Sequence, residues 1–426
     1  MRDLSCLAAL LVGFAVELRA TDLDDYVRRP DDSYRWQAFD AKPVGDLASV
    51  TRIELTSQTW RGGPWQHDLF VAVPRRVRNP SVAFLLIAAG TDTNSQRIVE
   101  ECATRGGALA ALLTGVPNQP LCDGRREDEL IAYTFDQYLR TGDPSWPLLL
   151  PMVKSTVRAM DAVQDWAGTA RGQRIDRFVV AGLSKRAWTT WLVAAADPRV
   201  CAIAPMAFDM LNMKAQTDWA AKVYGRQSEQ IHNYTDMGLV EQMDTPGMIG
   251  LMASVDPYSY LDRYTMPKLV LLGTNDRYWT VDSLRHYWAG LPGPKLLFQA
   301  PNNGHNVGGN PGTVAVLSAF FRMIADGQPL PSLSWRMADG TRPSVAVKTD
   351  VPARRATLWT ARSATRDFRD ARWTSADMPL TADRLRASAR VQRPEFGYTA
   401  FLAELTYGSE EGEYRLSTQA QVTPDD

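Results

Sequence analysis

Short apolar runs that alternate with helical patterns constrain the fold of this chain more than any other feature. Residues 82–88 (VAFLLIA), 178–181 (FVVA) and 269–272 (LVLL) are apolar throughout, which is typical of strands buried on both faces of a parallel sheet. Between the first two runs, residues 151–168 carry apolar side chains at helical spacing. Strands that alternate with helices predict an α/β domain with a mainly parallel sheet.

Further segments continue this alternation. Residues 53–73 predict an antiparallel hairpin that turns at Gly62-Gly63-Pro64. The other predicted elements are helices at residues 97–105, 189–196 and 312–326, and strands at residues 107–113, 200–204 and 295–300. Residues 21–45 are polar and rich in Asp and Arg. We expect them to form a leader that packs on the surface.

Two regions depart from the alternation and predict the domain organisation. Residues 206–262 are rich in Met and aromatic residues and lack a strand pattern, which predicts a helical cap inserted into the domain. The alternative is that they are simply more core. Residues 333–426 contain short alternating segments separated by Pro, Asp and Gly, which favours a small C-terminal β-sandwich. Its predicted strands are residues 344–348, 356–360, 386–392, 399–406 and 415–418. The α/β domain is then residues 21–332.

The first 20 residues are typical of an export signal. Arg2 precedes the apolar run 4–16, which ends shortly before Ala20. A membrane-spanning helix needs about 20 apolar residues, so this run is too short, but it suits the apolar region of a signal peptide. The alternative is that the run belongs to a buried helix. We predict a signal peptide at residues 1–20 and a secreted or periplasmic mature chain without an integral membrane segment.

Cysteine usage is consistent with such an oxidising compartment. Cleavage after Ala20 removes Cys6 and leaves Cys102, Cys122 and Cys201. Two of these can form one disulfide bond. Their short separation in sequence favours Cys102–Cys122.

Composition excludes several classes of function. The chain has 47 Lys and Arg against 48 Asp and Glu, a formal net charge of −1, so no global positive field attracts nucleic acid. It has four histidines and no Cys-x-x-Cys pair, which gives no support for a zinc site. We therefore expect neither a metal nor another cofactor.

Three residues that follow predicted strands form a catalytic pattern. Ser184 follows the strand at residues 178–181 directly before a helix, as in a nucleophile elbow. Asp276 and His305 each follow a later strand. The order nucleophile, acid, base is that of the α/β-hydrolase triad. A serine needs a base to accept its proton, and the base needs a carboxylate that fixes its tautomer.

Each member of the triad also has a structural alternative. Ser184 alone suits a helix N-cap, Asp276 a turn cap, and His305 a hydrogen bond to a loop carbonyl. Asp282 competes with Asp276, although it is better placed to cap a helix predicted at residues 283–289. The other histidines, His67, His232 and His286, are predicted to be structural.

Several neighbours of the triad have predicted roles. The oxyanion hole is expected to use the N–H of Lys185 and that of Gly90 or Thr91. The Lys185 and Arg186 side chains either stabilise an anionic group or pair with acidic residues of the cap. Two acidic residues in a predicted loop, Glu127 and Asp128, either capture a substrate amine or form salt bridges with Arg125 or Arg126. Trp188 and Trp191 are expected to pack the helix after Ser184 against the sheet.

The chain resembles the PhoPQ-activated pathogenicity-related family over most of residues 30–390. The resemblance rests on a series of motifs: Val116-Pro117-Asn118-Gln119-Pro120-Leu121, Arg126-Glu127-Asp128, Trp146-Pro147, Ser184-Lys185-Arg186, Asp197-Pro198-Arg199-Val200, Leu291-Pro292-Gly293-Pro294-Lys295 and Pro301-Asn302-Asn303-Gly304-His305. It implies an exported α/β-hydrolase-like protein, linked in some bacteria to virulence or membrane resistance. Eukaryotic relatives include secreted proliferation repressors, and a peptidase-like activity has been attributed to such a relative. Ala187 stands where the family usually has glycine.

A second, local resemblance covers a few residues. Gly-x-Ser followed by basic residues is similar to the elbow of glucuronoyl esterases, which cleave sugar-acid esters. Two hypotheses follow from the whole sequence. The first is a secreted serine hydrolase that acts on a small-molecule or peptide substrate through an acyl-enzyme. The second is a non-catalytic secreted binding or signalling protein on a hydrolase scaffold.

Overall fold

The computed structural model describes residues 21–409 and 412–425, so the predicted signal peptide at residues 1–20 lies outside the described residues. Nine strands form one large sheet in the order β1-β2-β3-β5-β4-β6-β7-β8-β9. They are β1 (Arg35–Ala38), β2 (Leu47–Trp60), β3 (Gly63–Pro74), β4 (Val82–Ile87), β5 (Leu109–Leu113), β6 (Arg177–Leu183), β7 (Val200–Met206), β8 (Lys268–Gly273) and β9 (Lys295–Ala300). Strands β4 to β9 pair in parallel, and β1, β2, β3 and β5 pair in antiparallel fashion. The predicted parallel sheet and the hairpin at residues 53–73 are confirmed.

Helices cover this sheet, and its central strands are therefore the apolar runs of the sequence. Every residue of β4, β5 and β8 is buried. The helices are α1 (Asp22–Arg28), α2 (Thr93–Gly106), α3 (Glu127–Thr141), α4 (Leu149–Arg171), α5 (Lys185–Ala196), α6 (Met213–Tyr224), α7 (His232–Thr235), α8 (Pro246–Val255) and α9 (Pro311–Ala325). Helices α2 and α9 pack together against the sheet, and so do α4 and α5.

The chain between β7 and β8 is helical, as predicted. It contains α6, α7 and α8, joined by short 3-10 turns at residues 229–231, 240–242 and 257–263. We call this insertion the cap segment. It begins at the carboxyl end of β7, the edge of the sheet where the predicted catalytic residues lie, and leads back to the start of the parallel strand β8.

The C-terminal part forms two antiparallel sheets. Their strands are β10 (Leu333–Ala338), β11 (Ser344–Thr349), β12 (Arg355–Ser363), β13 (Thr374–Met378), β14 (Arg386–Arg390), β15 (Tyr398–Ser409), β16 (Gly412–Ser417) and β17 (Gln421–Thr423). The first sheet has the order β10-β11-β14, the second has β13-β12-β15-β16, and β17 pairs with β15. Strand β16 packs against β9 and α9 of the α/β part. The five predicted strands are present, whereas β10, β13 and β17 were not predicted.

Four predictions about local structure are wrong. Residues 22–28 are not a surface leader: they form α1, in which Leu23 is fully buried and Asp24 forms an ion pair with Arg263 at 2.9 Å. Glu127 and Asp128 lie in the first turn of α3 and not in a loop. Residues 283–289 form short 3-10 turns and no α-helix.

The fourth wrong prediction is the disulfide bond between Cys102 and Cys122. Cys102, Cys122 and Cys201 are all free. Cys102 is buried on the inner face of α2, whereas Cys122 lies in the half-buried loop before α3. Across the described ranges, no helix has both the length and the apolar character needed to cross a membrane.

Candidate active site

Ser184 lies in the sharp turn between β6 and α5. Its backbone has φ 60° and ψ −121°, a left-handed conformation that L-residues rarely adopt. The Ser184 N–H donates to the carbonyl of Met206, the last residue of β7, at 2.8 Å. Ser184 makes no side-chain capping bond to α5, so its hydroxyl is not used as a helix cap. This strained turn has the form of a nucleophile elbow.

Gly182 makes the turn sterically possible. A Cβ atom at this position would lie 2.4 Å from the carbonyl oxygen of Arg186. The turn therefore needs glycine at position 182, two residues before the serine. Ala187, where the family usually has glycine, is fully buried within α5.

Asp276 and His305 lie in two loops that meet beyond β8 and β9. The Asn275 N–H donates to the carbonyl of Asn303 at 2.9 Å. A Cβ atom on Gly273 would lie 2.3 Å from that same oxygen. The close approach of these backbones brings together two side chains that are 29 residues apart in sequence.

The three side chains form a continuous chain of hydrogen bonds. His305 Nδ1 lies 2.8 Å from Asp276 Oδ2, and His305 Nε2 lies 2.9 Å from Ser184 Oγ. A carboxylate oxygen only accepts, so Nδ1 donates to Asp276 and Nε2 of the neutral ring accepts from Ser184. Asp276 Oδ1 also accepts the N–H of Tyr278 at 3.0 Å. This geometry is what serine activation requires.

The competing acid has other partners. Asp282 Oδ2 lies 2.8 Å from Arg366 and 3.1 Å from Arg285, and Oδ1 accepts the indole N–H of Trp219 at 3.0 Å. Its side chain makes no capping bond, so the predicted capping role is wrong as well. Asp282 belongs to a salt bridge between the α/β part and the C-terminal part.

Two aromatic rings beside His305 were not predicted as part of the site. The Tyr278 ring stacks on the imidazole with centroids 4.3 Å apart and planes at 30°. The Trp279 ring lies 5.6 Å away. They lie two and three residues after Asp276, and this proximity was the sequence signal that could have located them.

The C-terminal part supports both loops. The side-chain amide of Asn275 donates to three carbonyls, those of Phe368, Arg369 and Ala371, at 2.7–3.2 Å. Asn302 makes a reciprocal pair with the backbone of Trp373, at 2.8 and 2.9 Å. Each asparagine lies within three residues of a predicted catalytic side chain.

The predicted oxyanion donors lie at the same edge of the sheet. Lys185 is the first residue of α5, and the first N–H groups of a helix have no intrahelical acceptor. Gly90 and Thr91 lie in the exposed loop between β4 and α2. Because β4 neighbours β6 in parallel, this loop is next to the elbow.

The two basic side chains that follow Ser184 pair with acidic residues of α3. Arg186 contacts Glu127 through two hydrogen bonds of 2.6 and 2.7 Å, and Lys185 Nζ lies 2.7 Å from Asp128 Oδ2. Glu127 therefore pairs with neither Arg125 nor Arg126, and that prediction is wrong. So is the prediction that Lys185 and Arg186 pair with the cap segment, because both acids lie in α3.

The Glu127 carboxylate is held in its charged form. Burial alone would raise its pKa, but the hydrogen bonds and charge of Arg186, together with Gln119 and Lys185, lower the pKa to about 2. Glu127 also has φ 50°, so its backbone is strained like that of Ser184. Strain at two positions joined through Arg186 indicates a region held in a fixed shape.

A cavity extends from Ser184 into the cap segment, and we call it the cap pocket. Ser184, Lys185 and Asp128 line it. Five methionines line it: Met210, Met213, Met243, Met248 and Met252. Trp188 is buried, stacks on Phe208 and also lines the pocket, whereas Trp191 is fully buried against Tyr264.

The other histidines lie away from this constellation. Burial lowers the pKa of His67 to about 4, against hydrogen bonds to backbone carbonyls that raise it. Burial and the charge of Arg285 also lower the pKa of His286, although Asp282 opposes this. Among residues 21–409 and 412–425, no group of three or more His, Cys, Asp or Glu side chains is arranged to hold a metal ion.

Comparison with known proteins identifies the family. The model of the PhoPQ-activated pathogenicity-related protein family matches residues 23–369. The chain belongs to this family. Within the wider group of relatives, autocrine proliferation repressor protein A from Dictyostelium discoideum is 32% identical, over 98% of this chain and 92% of that protein.

Solved structures agree with the fold of this family member. The acetyl xylan esterase from Paenibacillus sp. R4 superposes with a TM-score of 0.52, covering 71% of this chain and 95% of the esterase. The two sequences are 14% identical, so the likeness concerns the fold. The chain therefore has the α/β-hydrolase fold, with a helical cap and C-terminal antiparallel sheets.

Proposed function

We propose that this protein is a serine hydrolase that forms an acyl-enzyme on Ser184. The observation that carries the proposal is the unbroken chain of hydrogen bonds from Ser184 through His305 to Asp276. It lies at the carboxyl ends of parallel strands and beside a pocket that contains the serine. A helix cap or a structural histidine requires no such sequence of contacts.

The geometry supports an acyl-transfer mechanism. Ser184 Oγ attacks the scissile carbonyl while His305 Nε2 accepts its proton, and Asp276 stabilises the resulting imidazolium. Backbone N–H groups of Lys185 and of Gly90 or Thr91 stabilise the oxyanion. His305 then donates its proton to the leaving alcohol or amine. A water molecule, deprotonated by His305, releases the acid and restores Ser184.

The first experiment asks whether Ser184 is reactive. A fluorophosphonate probe should label the folded protein on Ser184, and Ser184→Ala should abolish both the label and turnover of the preferred substrate in an ester and dipeptide panel. Ser184→Ala and His305→Ala should each lower kcat by at least about 10³-fold, and the double variant little more. Absence of labelling, together with turnover at the background rate by both the wild type and Ser184→Ala, would support the non-catalytic alternative.

The second experiment tests which of two buried aspartates is the acid of the triad. Asp276→Asn should lower kcat by roughly 10⁴-fold, because the amide favours the wrong imidazole tautomer. Asp282→Asn should leave kcat unchanged and lower the free energy of unfolding, because it breaks the contacts to Arg285 and Arg366. The opposite assignment of the two effects would refute Asp276 as the acid.

We also propose that the protein is exported, on the basis of residues 1–20. Amino-terminal sequencing of protein recovered from the periplasm or medium should begin at or near Thr21. Retention of residues 1–20 on cell-associated protein would contradict this proposal.

A further inference from the structure

The polar side chains that line the cap pocket are mostly hydrogen-bonded within the protein. The side chains of Gln216, Thr217 and Gln227 each donate to a backbone carbonyl, and Thr280 bonds to Ser283. Among the residues described along its wall, only the Trp279 indole N–H is buried without a partner. A pocket that recognises hydroxyls or charges presents unpaired polar groups to them, whereas the side-chain donors of Gln216, Thr217 and Gln227 are already used within the protein.

The two acidic side chains next to the cap pocket, Asp128 and Glu127, already form ion pairs. Asp128 accepts from Lys185 at 2.7 Å, from Tyr234 at 3.1 Å and from Tyr278 at 3.3 Å. Glu127 is paired with Arg186 at 2.6 Å. Both carboxylates therefore already have cationic partners, and a substrate ammonium would have to displace Lys185 to reach Asp128. This arrangement disfavours the role of Glu127 and Asp128 as an amine anchor.

The position of the triad decides which part of a substrate enters the cap pocket. Ser184 lines the pocket, whereas His305 does not. The leaving group must take its proton from His305 Nε2 and so departs on the imidazole side. The acyl group stays bonded to Ser184 Oγ and has the pocket beside it.

We propose that the cap pocket binds the acyl group of an ester substrate, and that this group is uncharged, apolar and longer than acetyl. The proposal rests on the proposed hydrolase function and specifies its substrate class. Methionine side chains are unbranched and flexible, so a wall of five of them adapts to an extended chain. Each methylene buried there adds roughly fourfold to kcat/KM.

The first test is a series of p-nitrophenyl esters with the full chain. The kcat/KM should rise at least tenfold from acetate to hexanoate. The kcat/KM for the hexanoate ester should also exceed that for the matched 2-aminohexanoate ester, after each value has been corrected for the rate at which hydroxide hydrolyses that ester. A flat series, or a preference for the amino ester, would overturn the proposal.

The second test uses two neighbouring alanines of α6. Ala220 is buried and lines the cap pocket, whereas Ala221 is exposed. Ala220→Phe should reduce the hexanoate-to-acetate ratio of kcat/KM at least tenfold, because its ring occupies the space of the acyl chain. Ala221→Phe, with the same change in size on the same helix, should leave the ratio unchanged. Equal ratios in the two variants would refute the assignment of the pocket.

These tests distinguish a failure of the acyl-pocket proposal from a failure of the hydrolase proposal. Labelling of Ser184 and turnover of acetate without a chain-length preference would refute the acyl pocket and leave the hydrolase standing. Absence of both labelling and turnover would refute the hydrolase and, with it, the acyl pocket. Fluorophosphonate labelling of Ala220→Phe reports whether that variant has an intact site.

Discussion

The ion pair between Glu127 and Arg186 allows a quantitative prediction for Glu127→Gln. Arg186 is 6% exposed, and its Nε also donates to the carbonyl of Val116 at 2.6 Å. Removal of one partner of a buried ion pair leaves the other charge uncompensated. The variant therefore leaves a buried guanidinium at the first turn of α5, directly after the proposed nucleophile.

The magnitude follows from the pKa of Glu127. A fall from the ordinary value of 4.5 to about 2 corresponds to roughly 3 kcal/mol at about 1.4 kcal/mol per pH unit. The Glu127 side chain is 35% exposed, and solvent screening reduces this to about 2 kcal/mol. At pH 7, we expect Glu127→Gln to lower the free energy of unfolding by about this amount.

The pH dependence distinguishes the ion pair from a general effect on packing. The pKa is lower in the folded state, so the stabilisation is present above pH 4.5 and is lost as the pH falls towards 2. In urea unfolding, the difference between wild type and Glu127→Gln should fall to less than about half of its neutral value near pH 3.

Glu129→Gln is the matched control. Glu129 lies in the same first turn of α3, is 53% exposed and approaches Arg125 only to 3.8 Å. Its replacement removes the same charge from the same helix end and should change stability by no more than about 0.5 kcal/mol. A loss in Glu127→Gln that is equal at pH 7 and pH 3, or matched by Glu129→Gln, would refute the reasoning.

Three further predictions concern the elbow, an exposed glycine of α4 and the ring stacked on the histidine. Gly182→Ala should prevent folding of the elbow, because the new Cβ would lie 2.4 Å from the Arg186 carbonyl; soluble yield and fluorophosphonate labelling measure this. Gly168→Ala, at an exposed position in α4 with open space around it, should instead raise the free energy of unfolding by up to about 1 kcal/mol. Tyr278→Leu should lower kcat more than Tyr278→Phe, because only the phenylalanine keeps a ring stacked on His305; steady-state kinetics that show equal losses would contradict this.

Features encoded in neighbouring residues could be predicted from the sequence. Apolar runs locate β4, β6 and β8, because a strand covered on both faces has no polar position. The order of Ser184, Asp276 and His305 along the chain matches the triad, because each follows its own strand. Their roles in catalysis remain a prediction that kinetics must test.

Features that depend on distant residues could not be predicted. Glu127 and Arg186 are 59 positions apart, and nothing in either local sequence names the other as its partner. Residues 283–289 suit a helix locally, yet the chain forms short 3-10 turns there. Residues 22–28 are polar as a segment, but a few side chains, including Leu23, suffice to dock α1.

The hydrogen bonds of Asn275 and Asn302 to the backbone of residues 368–373 bear on how this protein can be dissected. A fragment that stops at residue 332 would contain all three triad residues and the whole cap pocket. It would nevertheless lose the acceptors that fix the aspartate loop and the partner that fixes the histidine loop. Residues 368–373 connect β12 to β13, so we expect loss of the C-terminal part to disturb the geometry of the proposed triad, and exchanging that part between relatives would require residues 368–373 to be transplanted together with both loops.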